Sequence, residues 1–122
     1  MMMHELSLVS SVIDSIERMA AQEHWGKIER VTLRIGTMRQ VVPQIMQFAY
    51  RSATEGTALQ NSQLNIEPVP IAICCRACGG RWGEEKMGLL CPFCGSDDTE
   101  MEHGMELDID SVEVNEDGET GN

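Results

Sequence analysis

Four cysteines in the second half of the chain have the spacing of metal ligands. Two residues separate Cys75 from Cys78, and the same spacing separates Cys91 from Cys94. A spacer of this length lets a tight turn direct both sulfurs at one tetrahedral ion. A glycine follows the second cysteine of each pair, and glycine readily adopts the positive φ that curls such a turn back under a metal. The pattern predicts one ion held by all four thiolates.

Zinc is the ion that this cysteine pattern indicates. Four thiolates close its coordination sphere and leave no position for a substrate, so we predict a structural zinc ion. A rubredoxin-like iron site and a pair of disulfides are the alternatives that the spacing leaves open. Cys74 lacks the spacing to Cys78. It is therefore either a spare thiol or a ligand that exchanges with Cys75.

Length and composition favour a small cytoplasmic protein with a thin core. The 122 residues suffice for one compact domain or for a small domain that carries a smaller lobe. Aromatic residues make up only 4%, so aliphatic residues and methionine must fill the core, and a metal ion would help to stabilise it. We find no apolar run of the roughly 18 residues that a membrane span needs, and no secretion signal. The sequence therefore predicts no membrane partner, and thiols that stay reduced in the cytosol.

The charge distribution argues against a nucleic-acid partner. The formal net charge is -11, and residues 97–122 contain many acids without a single Lys or Arg. Nucleic-acid binding needs a basic stripe that can neutralise phosphates. Four zinc-bound thiolates would add further negative charge.

Hydrophobic periodicity predicts two helices. Apolar residues recur three or four apart over residues 5–22, which is typical of an amphipathic helix, and Gly26 is its expected stop. Pro43 suits the first position of a second helix that ends before Gly56. The positions expected on its buried face are Ile45, Phe48, Ala49 and Ser52.

Alternation of apolar and polar residues predicts three strands. Residues 28–35 alternate and end at Gly36. A second strand begins at Leu64, but two nearby prolines remove ladder donors and make it an edge strand or a bending linker. Residues 105–114 form the third strand, with a bulge expected at Ser111.

These elements predict an α+β fold with a small sheet of about three strands, two helices on one face and an inserted zinc-ribbon lobe. Residues 1–70 together with 105–114 are expected to form the α/β lobe. Residues 71–104 are expected to form the zinc-binding lobe. Residues 115–122 are rich in acids and poor in apolar side chains, so we expect a disordered acidic tail.

The N-terminus carries the residues that suggest a function. Met3-His4-Glu5-Leu6-Ser7-Leu8, ahead of the first helix, resembles the start of the HypA/HybF hydrogenase nickel-incorporation proteins. The resemblance covers residues 3–114, through Ile35-Gly36, Val42-Pro43 and the paired cysteines. It implies a non-enzymatic nickel metallochaperone that delivers Ni(II) during maturation of [NiFe] hydrogenase, with urease as an alternative or additional recipient that the sequence does not rank. The implied partners are a HypB-type GTPase and the hydrogenase large subunit, with urease accessory proteins as further partners if urease is a recipient.

The resemblance places nickel on Met3, His4 and Glu5 of the α/β lobe. His4 carries over as the imidazole ligand, and Glu5 as a ligand or a supporting carboxylate. A terminal amine, the next amide nitrogen and the imidazole can form adjacent chelate rings, which give the square-planar nitrogen field that Ni(II) accepts. Two methionines precede Met3 and move the amine away from His4. A start at Met3, another backbone nitrogen, or a thioether of Met1 or Met2 would have to fill that position.

Other functional classes remain open from the residues alone. A zinc ribbon also serves as an adaptor of nucleic-acid or transcription machinery, although the acidic balance opposes this. A metal-dependent enzyme needs an open metal site with an acid or base nearby, and no such group of residues is visible. His24 and His103 match no motif and are expected at the surface. The sequence does not decide between a monomer and a homodimer.

Overall fold

The computed structural model describes residues 2–86, 88 and 90–115. Within these residues the chain forms two α-helices, six strands and two short 3-10 turns. The elements are α1 Met2–Glu23, β1 Lys27–Gly36, α2 Pro43–Ala53, β2 Gln63–Val69, β3 Ala72–Cys75, β4 Arg81–Trp82, β5 Thr99–His103 and β6 Leu107–Asn115. None of the helices in this part of the chain has the length and apolar character to cross a membrane.

The strands form two three-stranded sheets. The first has the order β2-β1-β6, and the second has the order β4-β3-β5 with β3 antiparallel to both neighbours. The predicted α+β class, with two helices and a three-stranded sheet, is confirmed. β2 contains Pro68 and lies at an edge of its sheet, where a missing ladder donor is tolerated. The second sheet was not predicted, because its strands are only two to five residues long.

Helix α1 buries the predicted apolar stripe. Val9, Val12, Ile13 and Ile16 are almost fully inaccessible to solvent, and the helix packs against α2. The predicted stop at Gly26 is wrong. The helix ends at Glu23, and His24 adopts the left-handed conformation with φ 57° while the Trp25 N–H donates to the Ala20 carbonyl at 3.0 Å.

Helix α2 begins at Pro43 as predicted, but of the positions predicted on its buried face only Ala49 is buried. Met46, Ala49 and Tyr50 are buried, whereas Phe48 is 51% exposed. The helix is rotated relative to the expected stripe because the Tyr50 ring carries more apolar surface to the core than Ser52 could. The Tyr50 hydroxyl still finds a partner in the Ser62 hydroxyl, 2.7 Å away.

The described chain divides into two compact units. The first comprises residues 2–33, 41–67 and 108–115, and the second comprises residues 34–40 and 68–107. The large buried side chains of the first unit include Ile16, Ile28, Leu33, Met46 and Leu59. The second has a smaller core of Ile71, Ile73, Cys75, Trp82 and Cys91. Asn115 ends β6, and the rest of the predicted acidic tail, residues 116–122, lies outside the described residues.

A close backbone approach fixes residues 34–40 within the second unit. A Cβ on Gly36 would lie 2.0 Å from the carbonyl carbon of Gly104, so only glycine fits there. The Gly36 N–H donates to the Glu106 carbonyl at 2.8 Å, and the Met38 N–H donates to the Gly104 carbonyl at 2.9 Å. Arg39 Nε adds a 2.8 Å bond to the Met105 carbonyl. The segment is thereby tied to the turn at residues 104–106.

Candidate metal centre

The four predicted cysteines come together. Their sulfur atoms all lie within 4.8 Å of one another, and no other group of His, Cys, Asp or Glu side chains among the described residues forms such a cluster. The Sγ atoms of Cys75 and Cys94 are 3.6 Å apart, and those of Cys78 and Cys91 are 3.7 Å apart. A tetrahedron with zinc–sulfur bonds of about 2.3 Å has edges of about 3.8 Å. The sulfurs are thus spaced for a tetrahedral metal ion.

Two matching turns present these sulfurs. Gly79 and Gly95 have φ values of 80° and 78°, as the sequence predicts. The Gly79 N–H donates to the Cys75 carbonyl at 2.8 Å, and the Gly95 N–H donates to the Cys91 carbonyl at 2.9 Å. Each positive φ reverses the chain directly after the second cysteine of its pair. Both turns follow from local sequence.

Backbone N–H groups point at the sulfurs and favour the thiolate form. Phe93 N and Cys94 N lie 3.3 and 3.4 Å from the Cys91 Sγ. Burial raises the pKa of the Cys91 thiol, but these two donors, together with side-chain hydrogen bonds from Cys78 and Cys94, bring the pKa down to about 7. Gly80 N lies 3.4 Å from the Cys78 Sγ in the other turn. A thiolate is the form that binds a metal, so the N–H donors prepare Cys91 for a cation. Burial and the neighbouring thiols act the other way on Cys94, whose pKa they raise to about 12, and on Cys78, whose pKa lies above its usual range.

The cysteines are part of the core of their unit. Cys75 and Cys91 are buried together with Ile71, Ile73 and Trp82. The Trp82 and Phe93 rings meet edge to face, with centroids 6.0 Å apart and an interplanar angle of 73°. So few apolar side chains cannot hold a unit of this size without additional cross-links. The metal cluster therefore has a structural position in the fold.

Cys74 lies outside the cluster. It belongs to β3, where successive side chains point to opposite faces, so it faces away from Cys75. Its neighbours there include Glu100, its partner in β5, and Glu102. Partial burial raises the pKa of the Cys74 thiol, and the two carboxylates raise it further. The thiol therefore stays protonated at neutral pH.

The residues predicted for nickel lie in the first turns of α1. The His4 side chain is exposed, whereas Glu5 is only 1% exposed. The side chain of Met3 lies outside the described residues. His24 and His103 are exposed, and His103 Nδ1 lies 2.8 Å from a carboxylate oxygen of Glu106.

Sequence reasoning singled out Glu5 but missed its burial, which places a carboxylate inside the first unit. Its Oε2 accepts a 3.0 Å hydrogen bond from the N–H of Val42, the residue that precedes α2. Its Oε1 is buried and has no hydrogen-bond partner among the described residues. The Val42 N–H holds the pKa of the Glu5 carboxyl below its usual range, although burial alone would raise it. Glu5 thus connects the start of α1 to the start of α2.

Comparison with known proteins identifies the family. The family described as hydrogenase/urease nickel incorporation, metallochaperone, HypA matches residues 3–114. The hydrogenase maturation factor HypA of Aquifex aeolicus is 31% identical over 112 residues, which cover 92% of this chain and 97% of that protein. The HypA of Syntrophus aciditrophicus is 36% identical over 114 residues, with 88% and 100% covered.

Two solved structures of HypA proteins have the same fold as this chain. The solution structure of the Ni metallochaperone HypA from Helicobacter pylori superposes with a TM-score of 0.66 at 25% identity, covering 90% of this chain and 96% of that one. A second solution structure, of a HypA protein, superposes with a TM-score of 0.72 at 26% identity and covers 93% and 97%. Fold, cysteine cluster and family match agree. The chain therefore belongs to the HypA family of hydrogenase/urease nickel-incorporation metallochaperones.

Proposed function

We propose that this chain binds Ni(II) at its N-terminus through His4 and delivers it during maturation of [NiFe] hydrogenase, while a zinc ion in the four-cysteine cluster holds the second unit together. The observation that carries the proposal is the combination of an exposed His4 with a closed set of four cysteines in a HypA-family chain. The two sites differ in kind. One is open and suited to transfer, and the other is closed and suited to structure.

The donor set supports zinc in the cysteine cluster. Four thiolates with a divalent ion carry a charge of -2, which the N–H donors around Cys91 and Cys78 offset in part. Zinc is redox-inert and has no geometric preference of its own, so it accepts the tetrahedral arrangement of the four sulfurs without strain. The core around Cys75 and Cys91 is small, and these two cysteines are part of it. Metal binding and folding of this unit are therefore expected to be coupled.

The helix start supports nickel at His4. Helix α1 begins at Met2, so the amide nitrogen of His4 lies in the first turn of the helix, close to the exposed imidazole of the same residue. Because they belong to one residue, these two nitrogens can reach the same ion. The amine of a chain that begins at Met3 would complete two adjacent chelate rings. A longer N-terminus must first unwind the helix start to bring an amine or thioether to the metal.

We infer that Glu5 positions the nickel site rather than binding the ion. Its carboxylate is buried and already accepts the Val42 N–H, so metal binding would cost that hydrogen bond. Holding Glu5 fixes the orientation of the first turn of α1 and therefore the direction of the His4 side chain. Met3 remains the proposed source of the amine. Glu5 was predicted as a ligand or a supporting carboxylate, and its burial favours the second role.

The partners follow from the proposed role. We expect a HypB-type GTPase and the [NiFe] hydrogenase large subunit to bind this chain, with urease accessory proteins as further partners if urease is also a recipient. A homodimer is compatible with this function. The cytoplasm is the expected compartment, since its low thiol potential keeps the zinc ligands reduced.

Nickel titration of matched variants tests the proposal. We expect the chain that begins at Met3 to bind Ni(II) more tightly than the chain that begins at Met1, because its amine closes a small chelate ring. His4→Ala should abolish binding in both. His24→Asn, which keeps the left-handed backbone at that position, is the matched control and should bind as the wild type does.

Zinc content, measured in parallel, should stay at one ion per chain in all of these proteins. Nickel uptake should weaken on acidification because protons compete with the metal for nitrogen ligands. A His4→Ala chain that bound nickel with unchanged affinity would place the site elsewhere and refute the proposal.

A further inference from the structure

A polar groove in the first unit has no role in the proposed nickel or zinc chemistry. It has a volume of about 480 Å³ and lies between the later part of α2 and the start of β2. Its lining residues are Arg30, Gln47, Tyr50, Arg51, Ser62, Gln63, Leu64 and Asn65. The volume is within the range of small-molecule sites, about 300–1,000 Å³.

The charge of this groove is opposite to that of the chain. The formal net charge is -11, yet the described lining contains two arginines and no Asp or Glu. Counter-charges farther away than about 8–10 Å are largely screened at physiological salt, so nearby groups set the potential felt by a bound ligand. These are the two arginines and, beside Arg30, the Glu113 carboxylate 3.2 Å away, which leaves a positive balance. An anion is therefore attracted here in spite of the overall charge.

Arg30 is held in place by both neighbouring strands. Its Nε donates to the Gln63 Oε1 at 3.2 Å, and its Nη1 lies 3.2 Å from a Glu113 carboxylate oxygen. The Arg30 and Glu113 side chains are 45% and 57% exposed, so this ion pair is weak. The Arg30 guanidinium can therefore also bind a second anion. Because these contacts already order the Arg30 side chain, it loses little rotamer entropy when a ligand binds.

Arg51 supplies the second cation. It is exposed on the last turn of α2 and forms no ion pair with a carboxylate of the described residues. Gln47, on the same wall of the groove, is held by a 2.8 Å bond from its Nε2 to the Leu64 carbonyl. The Tyr50 and Ser62 hydroxyls are paired at 2.7 Å and provide further polar atoms. A planar guanidinium that is free to make two parallel bonds is the group best suited to phosphate.

We propose that this groove binds a small phosphate-bearing ligand of about mononucleotide size, with Arg51 and Arg30 on the phosphate and the amides of Gln63 and Asn65 on the polar body. The two arginines account for the anionic group. The amide side chains, which both donate and accept hydrogen bonds, account for recognition of a neutral polar group beside it. The ligand site is independent of the metal sites.

Amide chemical shifts of the zinc-loaded full chain test the proposal, with inorganic phosphate, AMP and adenosine as probes at constant ionic strength. We expect AMP to cause saturable shifts at Tyr50, Arg51, Gln63 and Leu64, with higher affinity than phosphate. Adenosine should cause none. Arg51→Gln should weaken AMP binding at least tenfold, whereas Arg18→Gln, an equal change of charge on the exposed face of α1, should alter it less than twofold.

Three results would overturn the proposal. Adenosine could bind as well as AMP, which would remove the phosphate from recognition. The shifts could persist unchanged in Arg51→Gln, which would show that Arg51 does not bind the phosphate. A glutamate-rich hexapeptide could shift the same amides at lower concentration than AMP, which would identify the groove as a docking site for an acidic protein segment. Tighter binding of AMP than of free phosphate would identify a nucleotide-like ligand rather than the bare anion.

Discussion

Gly36→Ala should destabilise the second unit severely. The new Cβ would lie 2.0 Å from the Gly104 carbonyl carbon, 2.1 Å from its oxygen and 2.4 Å from the Met105 nitrogen. All three atoms belong to the backbone, so no side-chain rotation relieves the overlap. Overpacking of this kind costs about 1–3 kcal/mol or more. Separating the two segments also strains the bonds from Gly36 N to the Glu106 carbonyl and from Met38 N to the Gly104 carbonyl, each worth about 1 kcal/mol.

The expected loss is therefore about 3–5 kcal/mol, a large share of the roughly 5–15 kcal/mol that stabilises a typical domain. Urea unfolding of the zinc-loaded chain measures it, and amide exchange locates it. The Gly36 and Met38 amides should exchange about a hundredfold to several thousandfold faster. Gly88→Ala is the matched control, because nothing lies within 4 Å of its added Cβ. If Gly36→Ala stayed within 0.5 kcal/mol of the wild type, a scale typical of surface substitutions (about ±0.5), the close approach of residues 36 and 104 would be wrong.

Three further changes test other parts of the molecule. The Cys91→Ser variant should lose the metal and unfold residues 68–107, while α1 and α2 stay protected from amide exchange. Equal protection of both units in this metal-free variant would contradict a structural role for the metal. Glu5→Gln should lower the free energy of unfolding by about 1 kcal/mol, because a neutral acceptor replaces a charged one at the Val42 N–H, and should change nickel affinity less than threefold. A tenfold loss of affinity at unchanged stability would make Glu5 a ligand instead. The Gly104 N–H and His103 lower the pKa of Glu106 to about 2, so this carboxylate stabilises the fold above pH 4.5, and its contribution should fade between pH 4.5 and about 2. The Gly104 amide shift, followed against pH, should show a midpoint well below 4.5, and Glu106→Gln should remove the transition.

The cysteine cluster could be predicted from sequence because each half of it is local. Cys75 and Cys78 lie within one turn, and the adjacent Gly79 supplies the positive φ that the turn needs. Only the meeting of the two halves required the fold. The amphipathic pattern of α1 likewise depends on near neighbours, and the burial of Val9 and Ile16 follows from it.

Features that depend on distant partners could not be predicted. Glu5 is an acid in the first turn of a helix, and its partner Val42 is 37 residues away in sequence. The exposure of Phe48 results from how α2 rotates against its neighbours, which no periodicity within eleven residues decides. β5 is mostly polar and exposed, and it is a strand only because β3 lies beside it. The left-handed residue that ends α1 was expected to be Gly26, but it is His24, two residues earlier.

The order in which the chain is synthesised separates the completion of the two units in time. Strand β1 ends at Gly36 and its neighbour β6 begins at Leu107, so 107 − 36 = 71 residues of chain must be added before the two can pair. At roughly 5–20 residues per second, the delay is about 4–14 s. Every residue of the second unit, with both cysteine pairs and residues 34–40, is polymerised by the time Leu107 is reached. The last strand of the first sheet follows over the next 115 − 107 = 8 residues, or about 0.4–1.6 s, so the unit carrying His4 is the later of the two to have all of its strands synthesised.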